Sequence, residues 1–373
     1  MQCREVSCLQ GPSGRGRNPA LALRLYGIFW GLPDAEHPLS SYHPDEVNLL
    51  DIAESLFRGE PADKAFIYGG TLFFSFLHGL VSIAWLLLPW FSDHTLLQIT
   101  LLLGRLVMVL ASLGAVGVLY LIGKRLMGVN GGLLCGLCAA IMPGMIIWSQ
   151  RLRPDELTAL LVTLMIWVAM QVFHHEGRRQ NNYMILAALF SGVLLSFRFP
   201  LLVFGLMPIM AQLMQRGYHL TLKTCANVIF PRTFLVYLIG VPVGYLASSP
   251  HSLLFPDVLL KGMDVMLGYQ VDVSADTIGK GPKVLQVWWS LLHQGLGYPL
   301  YFSSVAGLVL AIRDRQKWAM ILLVATIPYL VFMVISAMVV VRFTLPVLPV
   351  MAVFSTYSIL LLYRKVGALF TLS

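Results

Sequence analysis

Two short acidic motifs stand out in a chain that is otherwise poor in charge: His43-Pro44-Asp45-Glu46, and Arg151-Leu152-Arg153-Pro154-Asp155-Glu156 between two apolar segments. A carboxylate within hydrogen-bond reach of a hydroxyl can serve as its general base. Cations beside it can absorb the charge that develops on a leaving group. Arg151 and Arg153 flank the second motif, Arg198 precedes Pro200, Arg342 precedes Phe343-Thr344-Leu345-Pro346, and Lys64 follows the first motif. Arg105 lies inside a long apolar run, where a guanidinium is costly unless it meets an aqueous or anionic surrounding, so its position makes it a site candidate. One base and several cations suit an inverting single displacement between a hydroxyl acceptor and a sugar carried on a lipid phosphate. The phosphate leaves readily, whereas a glycoside hydrolase also needs a protonating acid opposite its base. A plainer reading stays open beside this one. Pro-Asp recurs at Pro33-Asp34 and Pro256-Asp257, and Pro at the first helical position with an acid in the first turn is also an ordinary way to start a helix.

The elements that must position these residues are membrane spans. Of 373 residues, 57% are hydrophobic and 12% charged, about half the charged share of a soluble domain. This excludes a soluble globular enzyme. Apolar windows at 101–122, 157–173 and 318–341 are long enough to cross a hydrocarbon core of about 30 Å as helices, so the chain reads as an all-α polytopic membrane protein. The formal charge of +8 does not point to nucleic acid, because the basic residues sit in short clusters between apolar segments: Lys124-Arg125, Arg178-Arg179, then Arg216, Lys223 and Arg232, then Arg313, Arg315 and Lys317, and Arg364-Lys365. The positive-inside rule puts these clusters in the cytoplasm and the acidic stretch 33–64 outside.

Counting sides then gives about ten spans, at 19–32, 96–123, 129–148, 157–173, 183–198, 200–214, 233–249, 290–312, 317–340 and 343–363. Residues 1–18 form a cytoplasmic tail, and 19–373 a single catalytic domain with a long external loop near 33–95. Within that loop, apolar positions 49, 52, 53, 56 and 57 share one face of an amphipathic surface helix that stops at Gly59. Residues 67–91, punctuated by Gly69-Gly70, Gly79 and Pro89, are read as interfacial or re-entrant, since a full crossing would invert every later basic cluster. Asp45, Glu46, Asp155 and the isolated cations then share the external face.

Other chemistries lack their motifs: there is no phosphate-binding Gly-x-x-x-x-Gly-Lys loop, no dinucleotide fingerprint tied to a strand, and no His-Glu-x-x-His pair. Cys135-x-x-Cys138 follows Gly131-Gly132 and reads as small residues at a helix contact. His174-His175-Glu176 lies beside Arg178-Arg179 and is not read as a metal site. Trp288-Trp289 resembles an interfacial aromatic belt. Two acidic loops could hold a divalent metal or simply pair with the arginines; no cofactor is assigned.

At these residues the sequence resembles the C-type membrane glycosyltransferases (GT-C fold). It is most similar to the dolichyl-phosphate-mannose-protein mannosyltransferases (glycosyltransferase family 39) and the related aminoarabinose-lipid A transferases. Four features carry the likeness in order: Leu23-Arg24-Leu25 before His43-Pro44-Asp45-Glu46; Gly104-Arg105-Leu106 through Gly128; Arg151 to Glu156 and the apolar run behind it; and Arg342-Phe343-Thr344-Leu345-Pro346-Val347-Leu348-Pro349. The resemblance implies that Asp45 is the base toward the acceptor, with Glu46 its neighbour and Asp155 the second acid of the site. It implies that Arg105 and Arg342 face the donor phosphate, with Lys64, Arg151, Arg153 and Arg198 as further candidates. It also implies an undecaprenyl- or dolichyl-phosphate donor carrying mannose or another hexose or pentose, and a protein, lipid or glycan acceptor. The setting would be a bacterial plasma membrane, or the endoplasmic reticulum membrane in a eukaryote. The first span is short for the family, and the further spans or terminal domain of many relatives are not expected after the Arg342 segment. A transporter or flippase of lipid-linked saccharide is the alternative; the paired halves common in such proteins are not visible here.

Overall fold

The structure is a computed structural model that describes residues 19–30, 32, 44–57, 70–87, 93–215, 233–250, 256–257, 283–335 and 341–370. Most of these are helical, with no strand among them. A short α1 (Pro19–Leu25) is followed by α2 (Pro44–Phe57), α3 (Gly70–Leu87) and the long α4 (Asp93–Ile141). Then come α5 (Pro143–Ser149), α6 (Asp155–His174), α7 (Gly177–Phe197), a 3-10 turn (Phe199–Gly205) running into α8 (Leu206–Gln215), and α9 (Thr233–Ser248). After α10 (Lys283–Trp289), a π-helical stretch (Ser290–Leu296) meets α11 (Tyr298–Arg313). The described chain ends with α12 (Lys317–Ile335), a second 3-10 turn (Val341–Val347) and α13 (Leu348–Phe370).

Four helices among the described residues are long and apolar enough to cross a membrane, at Leu97–Ile141, Asp155–His174, Lys317–Val334 and Arg342–Val366. The first of these folds back on itself. Gly128 takes φ 81° and ψ −176°, a backbone that costs glycine little and other residues much. The two arms of α4 then close on each other through small residues: a Cβ on Gly136 would touch Tyr120, and one on Gly132 would meet Lys124 at 2.9 Å. Cys135 and Cys138 are free thiols buried near this seam, which fits their reading as small packing residues.

At four places the elements depart from the expected spans. The segment 19–32 is helical only over Pro19–Leu25 and continues as turns. The segment 290–312 is not one rod, because its two helices meet at an angle of 114°. Gly297 with φ 74° makes that corner, and Pro299 at the start of α11 cannot donate back across it. The expected spans at 200 and 343 open as 3-10 turns around Pro200 and Pro346. Within 67–91, α3 carries an apolar stretch, Leu72–Ile83, shorter than those that meet the length of a span. It lays Phe73, Phe74 and Leu77 into the core with Leu49, Ile52 and Ala53 of α2, while Asn48 and Asp51 on the other side of α2 are exposed.

The middle of the bundle is α6, whose Ala159, Val162, Met165, Ile166, Ala169 and Val172 are buried. It packs on α4, α7, α8 and the second 3-10 turn. Twenty residues of helix separate its two ends by about 30 Å, and α7 returns over the same distance. Asp155 and Arg198 therefore share one end of the bundle. Lys124-Arg125, Arg178-Arg179, the Arg313 to Lys317 corner and Arg364-Lys365 occupy turns or helix ends that chain reversal places at the other. At that corner, hydrogen bonds from Arg313 and from the Tyr357 hydroxyl hold the Asp314 carboxyl below the usual carboxylate range.

Candidate active site

Three buried clusters of charge form at the first end. In the first, Glu46 in the opening turn of α2 is fully buried. Its Oε1 accepts from Arg105 Nε at 3.0 Å and from the Leu152 amide at 2.7 Å, and its Oε2 accepts from Arg105 Nη2 at 2.7 Å. Arg105 Nη1 donates to the carbonyls of Ile28 and Trp30, both at 2.8 Å. Gly104 makes room for this arrangement: a Cβ there would stand 2.5 Å from Leu152 Cδ1, so a larger residue would displace the backbone that caps Glu46. One ion pair thus ties α2, the turn after α1, α4 and the 149–154 segment together. Charge-assisted, fork-shaped pairing of this kind is directional as well as strong.

Glu46 thus has both oxygens engaged by Arg105 and the Leu152 amide, and Arg105 is bonded to Glu46 and two carbonyls. Asp45 lies one residue before Glu46 in the same helical turn; its side chain is outside the described residues, and so is Lys64. Beside the ion pair is a cavity of about 640 Å³ lined by Tyr26, Trp30, Glu46, Arg105, Gln150 and Arg151. Arg151 stacks on Trp148 at 4.8 Å.

The second cluster centres on Asp155, also fully buried. Its Oδ2 accepts from Arg153 Nε at 3.1 Å and its Oδ1 from Arg198 Nη2. Arg342 acts on the same carboxylate electrostatically. Arg198 and Arg342 both lie against the Phe343 ring, with Cζ 4.5 Å and 5.4 Å from its centroid. Three guanidinium groups around one carboxylate leave the cluster positive. Arg198 Nη1 is buried and makes no hydrogen bond, although Arg198 as a whole is only 9% exposed.

The third cluster was not foreseen. Arg24 is fully buried and donates through Nε to Ser112 Oγ at 2.8 Å, through Nη1 to the Ala140 carbonyl at 3.1 Å, and through Nη2 to the Ala139 carbonyl at 3.4 Å. In a continuing helix the Ala139 carbonyl would receive the amide of residue 143, but Pro143 has none, so Arg24 supplies the missing donor. Glu156 is buried nearby with both oxygens outside hydrogen-bond geometry, facing Arg24 and Ser112. The signals were present: an arginine in an apolar stretch, a proline after a helix, and a second acid in the Asp155-Glu156 pair.

The two acidic motifs do converge. The Leu152 amide bonded to Glu46 is three residues from Asp155, and Arg153 between them pairs with Asp155. Among the described residues no group of three or more His, Cys, Asp or Glu side chains gathers in a metal-holding arrangement, and arginines bond the Glu46 and Asp155 carboxylates.

The sequence matches the family model of dolichyl-phosphate-mannose-protein mannosyltransferases over residues 72–249, a little under half of the chain. No curated protein matches it. Its structure is similar to ArnT from Cupriavidus metallidurans bound to undecaprenyl phosphate, at 15% identity and a TM-score of 0.61, covering 91% of this chain and 58% of that one. It is also similar to the oligosaccharyltransferase AglB from Archaeoglobus fulgidus in complex with an inhibitory peptide and a dolichol-phosphate, at 16% identity and a TM-score of 0.57, covering 95% and 50%. The chain thus spans between half and three fifths of the length of these structures. It is an integral membrane protein with the GT-C fold shared by these two structures.

Proposed function

We propose that the protein transfers a sugar from a polyprenyl-phosphate carrier to a hydroxyl acceptor at the external face of its membrane, in one inverting displacement. The observation that carries this reading is Arg198 Nη1, buried without a partner, on the same aromatic ring as Arg342. A guanidinium N–H held out of water with nothing to bond costs on the order of 1–3 kcal/mol. A phosphate oxygen is the acceptor whose charge and fork geometry suit it. The undecaprenyl phosphate in ArnT and the dolichol-phosphate in AglB support the same donor class.

In this scheme the acceptor oxygen bonds to the anomeric carbon as Asp45 takes the hydroxyl proton. The bond from that carbon to the phosphate oxygen breaks, and its electron pair stays on the polyprenyl phosphate. Arg198 and Arg342 meet the charge that develops there. Asp155 keeps Arg198 in place through the bond it already makes, and Glu46 does the same for Arg105. The sugar is mannose or another hexose or pentose, the acceptor a protein, lipid or glycan, and the membrane a bacterial plasma membrane or, in a eukaryote, the endoplasmic reticulum.

The test uses membranes supplied with radiolabelled polyprenyl-phosphate sugars. Asp45→Asn is expected to abolish transfer while the purified variant still carries polyprenyl phosphate detectable by mass spectrometry. Full transfer by this variant moves the base elsewhere. Movement of lipid-linked saccharide between leaflets with no new glycosidic bond makes the protein a flippase instead.

A further inference from the structure

We propose that Phe343 is a positioning residue of the donor site, its ring setting the separation of the Arg198 and Arg342 guanidinium groups. The inference rests on the polyprenyl-phosphate reading of that site. Arg198 and Arg342 are far apart in sequence and enter from different elements, one at the end of α7 and the other in the 3-10 turn before α13. Their meeting point is the Phe343 ring, 4.5 Å from one Cζ and 5.4 Å from the other. The two groups can be no further apart than these distances together allow, which keeps both on one side chain.

The ring is itself held. The Tyr329 hydroxyl of α12 donates to the Phe343 carbonyl at 2.8 Å. The Tyr329 ring lies 5.3 Å from that of Phe204, in the same 3-10 turn that Arg198 introduces. A closed circuit results, running from Arg198 through its turn to Phe204, Tyr329, Phe343 and Arg342. Tyr329 is buried and Phe343 only partly so, which places the anchor inside the protein and the ring at its margin. Cation–π contacts strengthen when water is excluded, and they fix a planar guanidinium more narrowly than a lysine could be fixed. Asp155 bonds Arg198 directly but reaches Arg342 only electrostatically; the shared ring touches both guanidinium groups.

The probe is undecaprenyl phosphate without a sugar, titrated into the purified full chain in detergent. Phe343→Leu removes the ring and is expected to weaken binding about tenfold, from the loss of two cation–π contacts. Phe343→Tyr keeps the ring and is expected to bind within about twofold of the parent, a rescue that a space-filling role would not distinguish from leucine. Tyr329→Phe releases the ring's anchor by one hydrogen bond and is expected to weaken binding about threefold. Parent-like affinity in Phe343→Leu overturns the inference while leaving the donor reading intact. Should that variant fail to fold, unchanged affinity in Tyr329→Phe overturns it. Absence of binding by the parent protein overturns the donor reading itself.

Discussion

Glu46–Arg105 and Asp155–Arg198 are built from the same chemistry, a buried carboxylate gripped by arginine at one end of the bundle, yet they end in different states. Around Glu46 the hydrogen bonds close: Arg105 uses both faces of its fork on Glu46 and two carbonyls, and a backbone amide takes up the remaining approach. Around Asp155 they do not close, since three arginines share one carboxylate and Arg198 keeps a buried N–H without a partner. A saturated buried pair holds elements together. An unsaturated one of net positive charge is poised for an anion. Residue type does not separate the two; the count of donors against acceptors does.

The largest expected effect breaks the saturated pair. Arg105→Ala leaves the Glu46 carboxylate buried without its cation and two carbonyls without donors, and removing one partner of such a pair costs about 3–5 kcal/mol. Thermal unfolding in detergent should show a much lower midpoint or no stable protein. If stability were unchanged while undecaprenyl phosphate binding was lost, the roles assigned to the two clusters would have to be exchanged.

A smaller and more selective effect is expected at Arg198. Arg198→Lys keeps a cation for Asp155 but loses the second N–H face and the flat stack on Phe343. The loss of one charge-assisted hydrogen bond, about 1.5–3 kcal/mol, corresponds to roughly 10- to 100-fold weaker binding of undecaprenyl phosphate, with a modest fall in melting midpoint. A variant that melted far lower yet bound normally would make this cluster another structural clamp.

Much of the scaffold was legible in the sequence because membrane spans announce themselves by length and hydropathy. The break between 123 and 129 that separated two expected spans is where Gly128 turns α4 back. The sharing of one face by Asp45-Glu46 and Asp155-Glu156 followed from charge asymmetry, and the Leu152–Glu46 bond agrees with it. What could not be read was which arginine meets which acid. Arg105 and Glu46 are 59 positions apart, and Leu152 and Glu46 are 106 apart, so nothing local encodes the pairing. Hydropathy was equally blind to the corner at Gly297, since an apolar run is as apolar bent as straight. The task of Arg24 depends on a carbonyl freed by Pro143, more than a hundred residues downstream.

The finest discrimination falls on Arg151, which lines the cavity beside the Glu46–Arg105 pair and was an expected phosphate ligand. Its stack on Trp148 is partly exposed, where such a contact contributes about 0.5–1 kcal/mol. Arg151→Ala removes this stack. If the donor phosphate sits between Arg198 and Arg342, the same variant should bind undecaprenyl phosphate within about threefold of the parent, a difference below what one charge-assisted bond supplies. A loss as large as that of Arg198→Lys would put the phosphate in the cavity instead. The saturated ion pair would then be the wall of the binding site, and the spare N–H of Arg198 would need another acceptor.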